Sequence, residues 1–70
     1  MLHNLKAEMA RHGITNSDIQ RLLGCTERTV TNKITGRTAF FVWEAIRIRA
    51  AFFPALSIEY LFENELTSGR

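Results

Sequence analysis

The sequence predicts an all-α domain built from five helices, and three observations favour this fold class. Gly13, Gly24, Gly36 and Pro54 divide the 70 residues into five segments, and glycine and proline are the residue types that commonly end helices. Within the segments, apolar residues recur three or four positions apart, which is the helical period. No alternating apolar segment lies beside an Asn-Gly or Asp-Gly turn, so no β-hairpin is expected.

The first helix is expected from about Asn4 to Arg11. Leu5, Met9 and His12 lie on one stripe at helical spacing, which predicts the buried face. Gly13 can adopt the left-handed conformation that ends a helix.

The second and third helices are placed by their caps. The second follows Thr15 or Asn16 and the third follows Thr26, because such side chains accept hydrogen bonds from the free N–H groups of a first helical turn. Gly24 separates the two helices, and Gly36 ends the third. The residues expected to point inward are Ile19, Leu22, Leu23, Val30 and Ile34.

The fourth helix, expected from Val42 to Phe53, is apolar over more than half of its circumference. Such a helix is packed on two sides or lies at an interface. Ser57 caps a last helix expected from Ile58 to about Asn64. Residues 65–70 are expected to form a frayed tail, which leaves residues 1–64 as one domain.

Charge is unevenly distributed along a chain whose net charge is only +2. From Arg21 to Arg49 six cations outnumber two anions, a local excess of +4, whereas from Pro54 onward three anions outnumber one cation, a local −2. A basic middle and an acidic end indicate one face suited to a polyanion and another kept away from it.

Cys25 is the one cysteine, so no disulfide can form within the chain. A single thiol, no signal peptide and no long apolar run together favour a reduced, intracellular compartment, and no membrane partner is expected. Cys25 itself is expected to be a small core residue, with a redox switch as the minor alternative.

The segment 16–36 predicts two short helices joined by a tight turn. A tight turn at Gly24 requires a positive φ, which is unfavourable for a residue with a Cβ. At a steep crossing the apolar positions converge in the crease between the helices; these positions are Ile19, Leu23, Cys25 and Val30. The opposite side of the third helix must then face solvent or a ligand; it carries Glu27, Arg28, Thr31 and Asn32.

The same segment resembles a known family, the Cro and phage-repressor type of helix-turn-helix regulators, also called the xenobiotic-response-element family. The matching residues are Ile14-Thr15, Ile19, Leu22-Leu23-Gly24, Thr26, Val30-Thr31 and Gly36-Arg37. The ending Phe-Phe-Pro…Leu-Ser-Ile-Glu-Tyr-Leu-Phe is similar to the last-helix segment of small members from prophages and mobile elements of Gram-positive bacteria. The resemblance covers about Leu5 to Phe62. It implies a compact, five-helix, lambda-repressor-like DNA-binding domain whose helix-turn-helix is formed by the second and third helices.

The resemblance also implies roles for individual residues. Base edges in the major groove would be read by Glu27, Arg28, Thr31 and Asn32. Arginine suits guanine, glutamate suits the cytosine amino group and asparagine suits adenine. The DNA backbone would be held by Asn16, Ser17, Thr29, Lys33, Arg37 and Thr38, where the first two lie at a helix N-terminus that favours phosphate.

Seven aromatic residues are crowded into the last 31 positions. We expect some of this apolar surface to lie at a twofold dimer contact, formed by Phe53, Leu56, Tyr60 and Phe62. The alternative is that all the aromatic residues belong to the core of one monomer. Arg47 follows Trp43 by one helical turn, which permits its side chain to stack on the indole ring.

The expected function is therefore a sequence-specific transcriptional regulator, a repressor or Cro-like switch from a prophage or mobile element. It would bind a palindromic operator in double-stranded DNA as a homodimer, in the cytoplasm of a bacterial or phage-infected cell. The alternative is a protein-interaction module such as an antirepressor or antitoxin-like partner. No enzyme, metal, cofactor or small-molecule ligand is expected, because the sequence carries no catalytic set, phosphate loop or metal-ligand spacing.

Overall fold

A computed structural model of the chain describes residues 1–63 and 65–67. These residues form five helices and two very short strands. In chain order the elements are α1 (His3–His12), α2 (Asn16–Leu23), α3 (Glu27–Thr35), β1 (Phe40–Phe41), α4 (Val42–Phe52), α5 (Ile58–Phe62) and β2 (Leu66–Thr67). The chain is thus mostly helical, which confirms the predicted class at that level.

The predicted caps begin and end the helices. Thr15, Thr26 and Ser57 accept hydrogen bonds from the backbone N–H three residues later, at the starts of α2, α3 and α5. Each of the first three helices ends at a glycine with positive φ: α1 at Gly13 (+71°), α2 at Gly24 (+73°) and α3 at Gly36 (+94°). The starts of α2, α3 and α5 and the ends of α1, α2 and α3 therefore follow from local chemistry that can be read in the sequence.

The two strands were not predicted. Phe40 pairs with Leu66 and Phe41 with Thr67, in a parallel register. The expectation of a frayed end is therefore wrong for Leu66 and Thr67, while residues 68–70 lie outside the described residues. The last helix ends earlier than expected, at Phe62, because Glu63 adopts a left-handed φ of +52°; the predicted boundary, Asn64, also lies outside the described residues.

The core contains residues from each helix and from β1. α2 packs on α3 and α4, α1 packs on α5, and α4 also packs on α5. The buried apolar residues are Leu2, Leu5, Met9, Ile19, Val30, Ile34, Phe40, Ala45, Ile48, Phe53, Leu61 and Phe62. Burial of these side chains is the main favourable contribution to folding. His12, predicted on the buried stripe of α1, is instead exposed, although its ring meets Phe53 edge-on at 5.2 Å.

The aromatic residues divide between the core and the surface. Phe53 is 1% exposed and Phe62 is fully buried, so the prediction that they form a dimer contact is wrong, because the monomer core already covers them. Leu56 is half-buried, and Tyr60 is 40% exposed. The contact between Arg47 and Trp43 that the sequence permits is present, with the guanidinium carbon 6.0 Å from the ring centroid.

Polar side chains join α5 to α1. The N–H of Asn4 donates to Glu63 Oε2 and the Asn4 side-chain amide donates to the Tyr60 carbonyl, each at 2.8 Å. The Tyr60 hydroxyl donates to Oε2 of buried Glu8 at 2.8 Å. Glu63 thus supplies the N-terminal cap that Leu2, the residue before α1, cannot supply. We call these four residues the α1–α5 polar contact.

Candidate functional site

The turn between α2 and α3 orients one side of α3 outward. Ile19 and Val30 are fully buried where the two helices meet, and half-buried Leu23 and Cys25 pack against the same core. Gly24 permits the chain reversal, because its φ of +73° lies in the left-handed region. With the inner side of α3 fixed in this way, its polar side is left at the surface.

The polar residues on that surface lie together. An open depression is lined by Glu27, Arg28, Thr31, Asn32, Thr35 and Arg37. The four residues predicted to read bases are all in this set. We call Glu27, Arg28, Thr31, Asn32 and Thr35 the exposed α3 face; Asn32 is half-buried and the other four residues are exposed. Arg37 contacts the same depression from the segment that follows α3.

Thr35 was missed by the sequence reasoning, although a signal for it existed. It lies four positions after Thr31, so helical spacing places both on one side of α3. Its hydroxyl donates to the Thr31 carbonyl at 2.9 Å. This bond satisfies the hydroxyl's hydrogen, while the oxygen can still accept a bond from a ligand.

The arginine side chains at the surface differ in whether their guanidinium groups already have an ion-pair or hydrogen-bond partner within the protein. Arg21 pairs with Asp18 at 2.9 Å, Arg11 pairs with Glu8 at 3.1 Å, and Arg49 donates to the Leu56 and Pro54 carbonyls. Within the described residues, the guanidinium groups of Arg28 and Arg37 have no such partner. Both are exposed, so their donors are available to a ligand with acceptor oxygens or nitrogens.

The start of α2 reaches the exposed α3 face through one side-chain bond. Asn16 Nδ2 donates to Thr31 Oγ1 at 3.3 Å, and both Asn16 and Ser17 are half-buried. Asp18 occupies the same helix end, where it accepts a bond from the Thr15 N–H at 2.9 Å. That backbone bond and a second one from the Thr15 hydroxyl lower the pKa of Asp18. An external anion would therefore meet a carboxylate as well as the helix N-terminus here.

Thr29 and Thr38 lie at opposite ends of α3. The Thr29 hydroxyl is 2.9 Å from that of Thr26, within the cap of the helix, and Thr29 is half-buried. Thr38 is exposed next to Arg37, and its N–H donates to the Asn32 carbonyl at 3.3 Å. Neither residue lines the depression.

Lys33 was predicted to contact phosphate at the surface, but it lies inside the protein. It is only 7% exposed, and its ammonium lies 3.0 Å from Glu44 Oε1. It also donates to the Ala39 carbonyl at 3.1 Å and lies 4.7 Å from the centroid of the Phe41 ring. The prediction is wrong because Lys33 is turned inward and its charge is already paired within the protein.

α4 leaves part of its apolar surface uncovered. Ala45 and Ile48 are buried, but Val42, Trp43 and Ile46 are 38%, 47% and 52% exposed. The helix is therefore packed on one side in the monomer, and not on two. Uncovered large apolar side chains of this kind, when they are contiguous, mark binding surfaces.

Comparisons with protein-family models, with curated proteins and with solved structures found no match to this chain. Across residues 1–63 and 65–67, no helix is both long and apolar enough to cross a lipid bilayer.

Proposed function

We propose that this chain is a sequence-specific DNA-binding transcriptional regulator, a repressor or Cro-like switch derived from a prophage or mobile element. In this proposal α2 and α3 act as a helix-turn-helix, and α3 enters the major groove of double-stranded DNA. The observation that carries the proposal is the exposed α3 face, whose side chains are of the types that recognise base edges.

The chemistry of that face favours base recognition over non-specific attraction alone. Arg28 can donate two bonds to the O6 and N7 atoms of guanine, and Asn32 can both donate and accept at adenine. Glu27 adds an anion beside them. A carboxylate repels phosphate but accepts from the cytosine amino group, so it would discriminate between sites.

The proposed contacts to the DNA backbone are Asn16, Ser17 and Thr29 together with Arg37 and Thr38, and the last two are the more accessible. Arg37 and Thr38 are exposed at the end of α3, where a cation and a hydroxyl can bind phosphate oxygens without reading sequence. Lys33 is not among them. Two copies bound to a palindrome would place their α3 helices in successive turns of the major groove, about 34 Å apart.

Selection of bound sequences from a random pool of double-stranded DNA tests this function. We expect enrichment of a palindromic motif with half-sites one helical turn apart, and an affinity that falls steeply as salt increases. The steep fall follows from release of counterions when cations of the protein neutralise phosphates. Absence of any enriched motif, or an affinity indifferent to salt, would contradict the proposal.

A second candidate function is favoured by the uncovered side of α4. Exposed Val42, Trp43 and Ile46 would suit a protein-interaction module, such as an antirepressor or antitoxin-like partner. An Ile46→Glu variant separates the two functions, because it places a charge on α4 away from the exposed α3 face. Under the DNA-binding proposal the variant binds DNA with the half-site preference of the parent. Under the alternative, DNA titrations of the parent are flat, and the variant loses a protein partner that the parent retains in a pull-down without DNA.

A further inference from the structure

The segment between α3 and α4 is held by a buried ion pair. Lys33 lies in the last turns of α3 and Glu44 in the first turn of α4, and their side chains are 8% and 7% exposed. Lys33 Nζ bonds both Glu44 Oε1 and the Ala39 carbonyl, at 3.0 Å and 3.1 Å. Glu44 Oε1 also accepts from the Phe41 N–H at 2.9 Å. The pair thus joins two helices and two points of the connecting chain.

The other end of the same segment is fixed by one carbonyl. Asn32 O accepts bonds from the N–H groups of Arg37 and Thr38, at 2.9 Å and 3.3 Å. Residues 36–39 therefore run between the Asn32 carbonyl and the Lys33 ammonium. All four residues are exposed, and the side chain of Arg37 contacts the depression beside the exposed α3 face.

Stability alone does not account for a charged pair at this place. Removing two charges from water is costly, and a well-packed apolar pair of similar size often stabilises a protein as well or better. Unlike an apolar contact, the charged pair fixes the orientation of the groups that it joins, because each hydrogen bond requires a particular donor and acceptor geometry. A backbone segment fixed in this way can hold a neighbouring surface side chain, here that of Arg37, at a defined position.

We propose that Lys33 and Glu44 are positioning residues, which hold segment 36–39 so that Arg37 and Thr38 lie beside the exposed α3 face at the phosphate backbone. This inference rests on the proposed DNA-binding function. It replaces direct phosphate contact by Lys33 with an indirect role, in which Lys33 acts through the backbone of Ala39.

A double-mutant cycle tests the proposal. The pair is removed in the double variant K33M/E44Q, which leaves the net charge of the protein unchanged. The glutamine side chain still offers an amide oxygen that can accept the bond from the Phe41 N–H. Arg37→Ala is then made in the parent and in K33M/E44Q, and binding to the selected DNA is measured over a series of salt concentrations. In the parent we expect the log–log salt slope to fall by about one unit. In K33M/E44Q we expect it to fall by less than half as much, because Arg37 no longer has a fixed position.

Arg28→Ala is the matched control, since it also removes one arginine side chain, but from α3 and not from segment 36–39. Its effect on the salt slope and on base preference should be equal in both backgrounds. A purely structural role for the pair would lower the folded fraction without changing what Arg37 contributes in the folded protein. Equal effects of Arg37→Ala in the two backgrounds would therefore overturn the proposal.

Amide hydrogen exchange provides a readout that does not depend on DNA. In K33M/E44Q the amides of Arg37 and Thr38 should exchange about tenfold faster or more, while that of Val30 in the core keeps its protection. The single variant Glu44→Gln serves if the double variant does not fold, because it keeps Lys33 and a neutral acceptor. Unchanged exchange at Arg37 and Thr38 would refute the positioning role, whereas absence of DNA binding by the parent would refute only the proposed function.

Discussion

Among single side chains, Arg28 has the clearest proposed role, because it is exposed on α3 and lines the depression. We expect Arg28→Ala to relax the preference at one base pair of each half-site, at a cost of about 1–3 kcal/mol. Competition between DNAs that differ at single positions measures this preference.

Arg21→Ala is the comparison for that experiment, because it also removes one guanidinium but from α2, where the group is paired with Asp18. It should leave the base preference as it is in the parent. If Arg28→Ala retained the parent's preference at every position, Arg28 would not be a base-reading residue.

The residues whose predicted roles were wrong share one physical cause. The sequence shows that Lys33 is a cation on a surface helix, but its burial depends on Glu44, which belongs to another helix. Likewise, Phe53 and Phe62 are apolar in any arrangement, and only the packed fold decides whether a monomer or a partner covers them. Local patterns identify the chemistry of a side chain, whereas its surroundings come from contacts between distant segments.

At the level of elements, most helix ends could be predicted because they are encoded locally, although the start of α1 is capped by the distant Glu63. Thr15, Thr26 and Ser57 cap helix starts, and Gly24 provides a left-handed end. The exposed α3 face could be predicted for the same reason, since it is the side opposite a helical apolar stripe. The parallel strands could not, because two residues carry no period and their pairing requires the finished fold.

The three helix-ending glycines give a prediction at this level. Alanine at Gly13 or Gly24 should lower the free energy of unfolding by about 1–2 kcal/mol, the cost of a left-handed backbone for an L-residue. A Cβ at either position meets nothing within 4 Å, so no clash adds to that cost. Gly36→Ala should cost more, because φ is +94° and the Cβ would lie 3.2 Å from the Met1 nitrogen.

Urea denaturation measures the three costs, with equal m-values showing that the extent of unfolding is unchanged. Gly13→Ala serves as the reference for Gly24→Ala, since the two backbones differ by only 2° in φ. A Gly36→Ala variant as stable as the other two would mean that the start of the chain moves aside at no cost.

For the whole molecule, the α1–α5 polar contact gives a prediction that depends on pH. Tyr60→Phe removes the hydroxyl that donates to buried Glu8, and we expect it to lower the free energy of unfolding at pH 7, because the Glu8 carboxylate loses a hydrogen-bond donor. Hydrogen bonding to Glu8, with smaller effects of desolvation and of the carboxylate charge, raises the pKa of Tyr60 above 10.0 in the folded protein.

The sign of the pH dependence follows from that direction. A group whose pKa is higher in the folded state contributes fully below its unfolded pKa and loses its contribution as pH rises through the folded pKa. The difference in unfolding free energy between parent and Tyr60→Phe should therefore be constant up to about pH 10 and shrink above it. Paired urea titrations from pH 7 to the alkaline range measure this difference. A difference that stays constant throughout would contradict a raised pKa of Tyr60 in the folded protein.

The same contact determines how the molecule can come apart. Asn4 and Glu63 are 59 positions apart in sequence, and Glu8 and Tyr60 are 52 apart, so these bonds close a loop that contains nearly the whole chain. The entropy lost on closing a loop grows only slowly with its length. The entropic cost of closing this long loop is therefore only slightly larger than that of a shorter one. Release of α5 would leave the first turn of α1 uncapped and Glu8 without its hydroxyl donor. We therefore expect the first and last helices to open as one cooperative unit, although they lie at opposite ends of the described sequence.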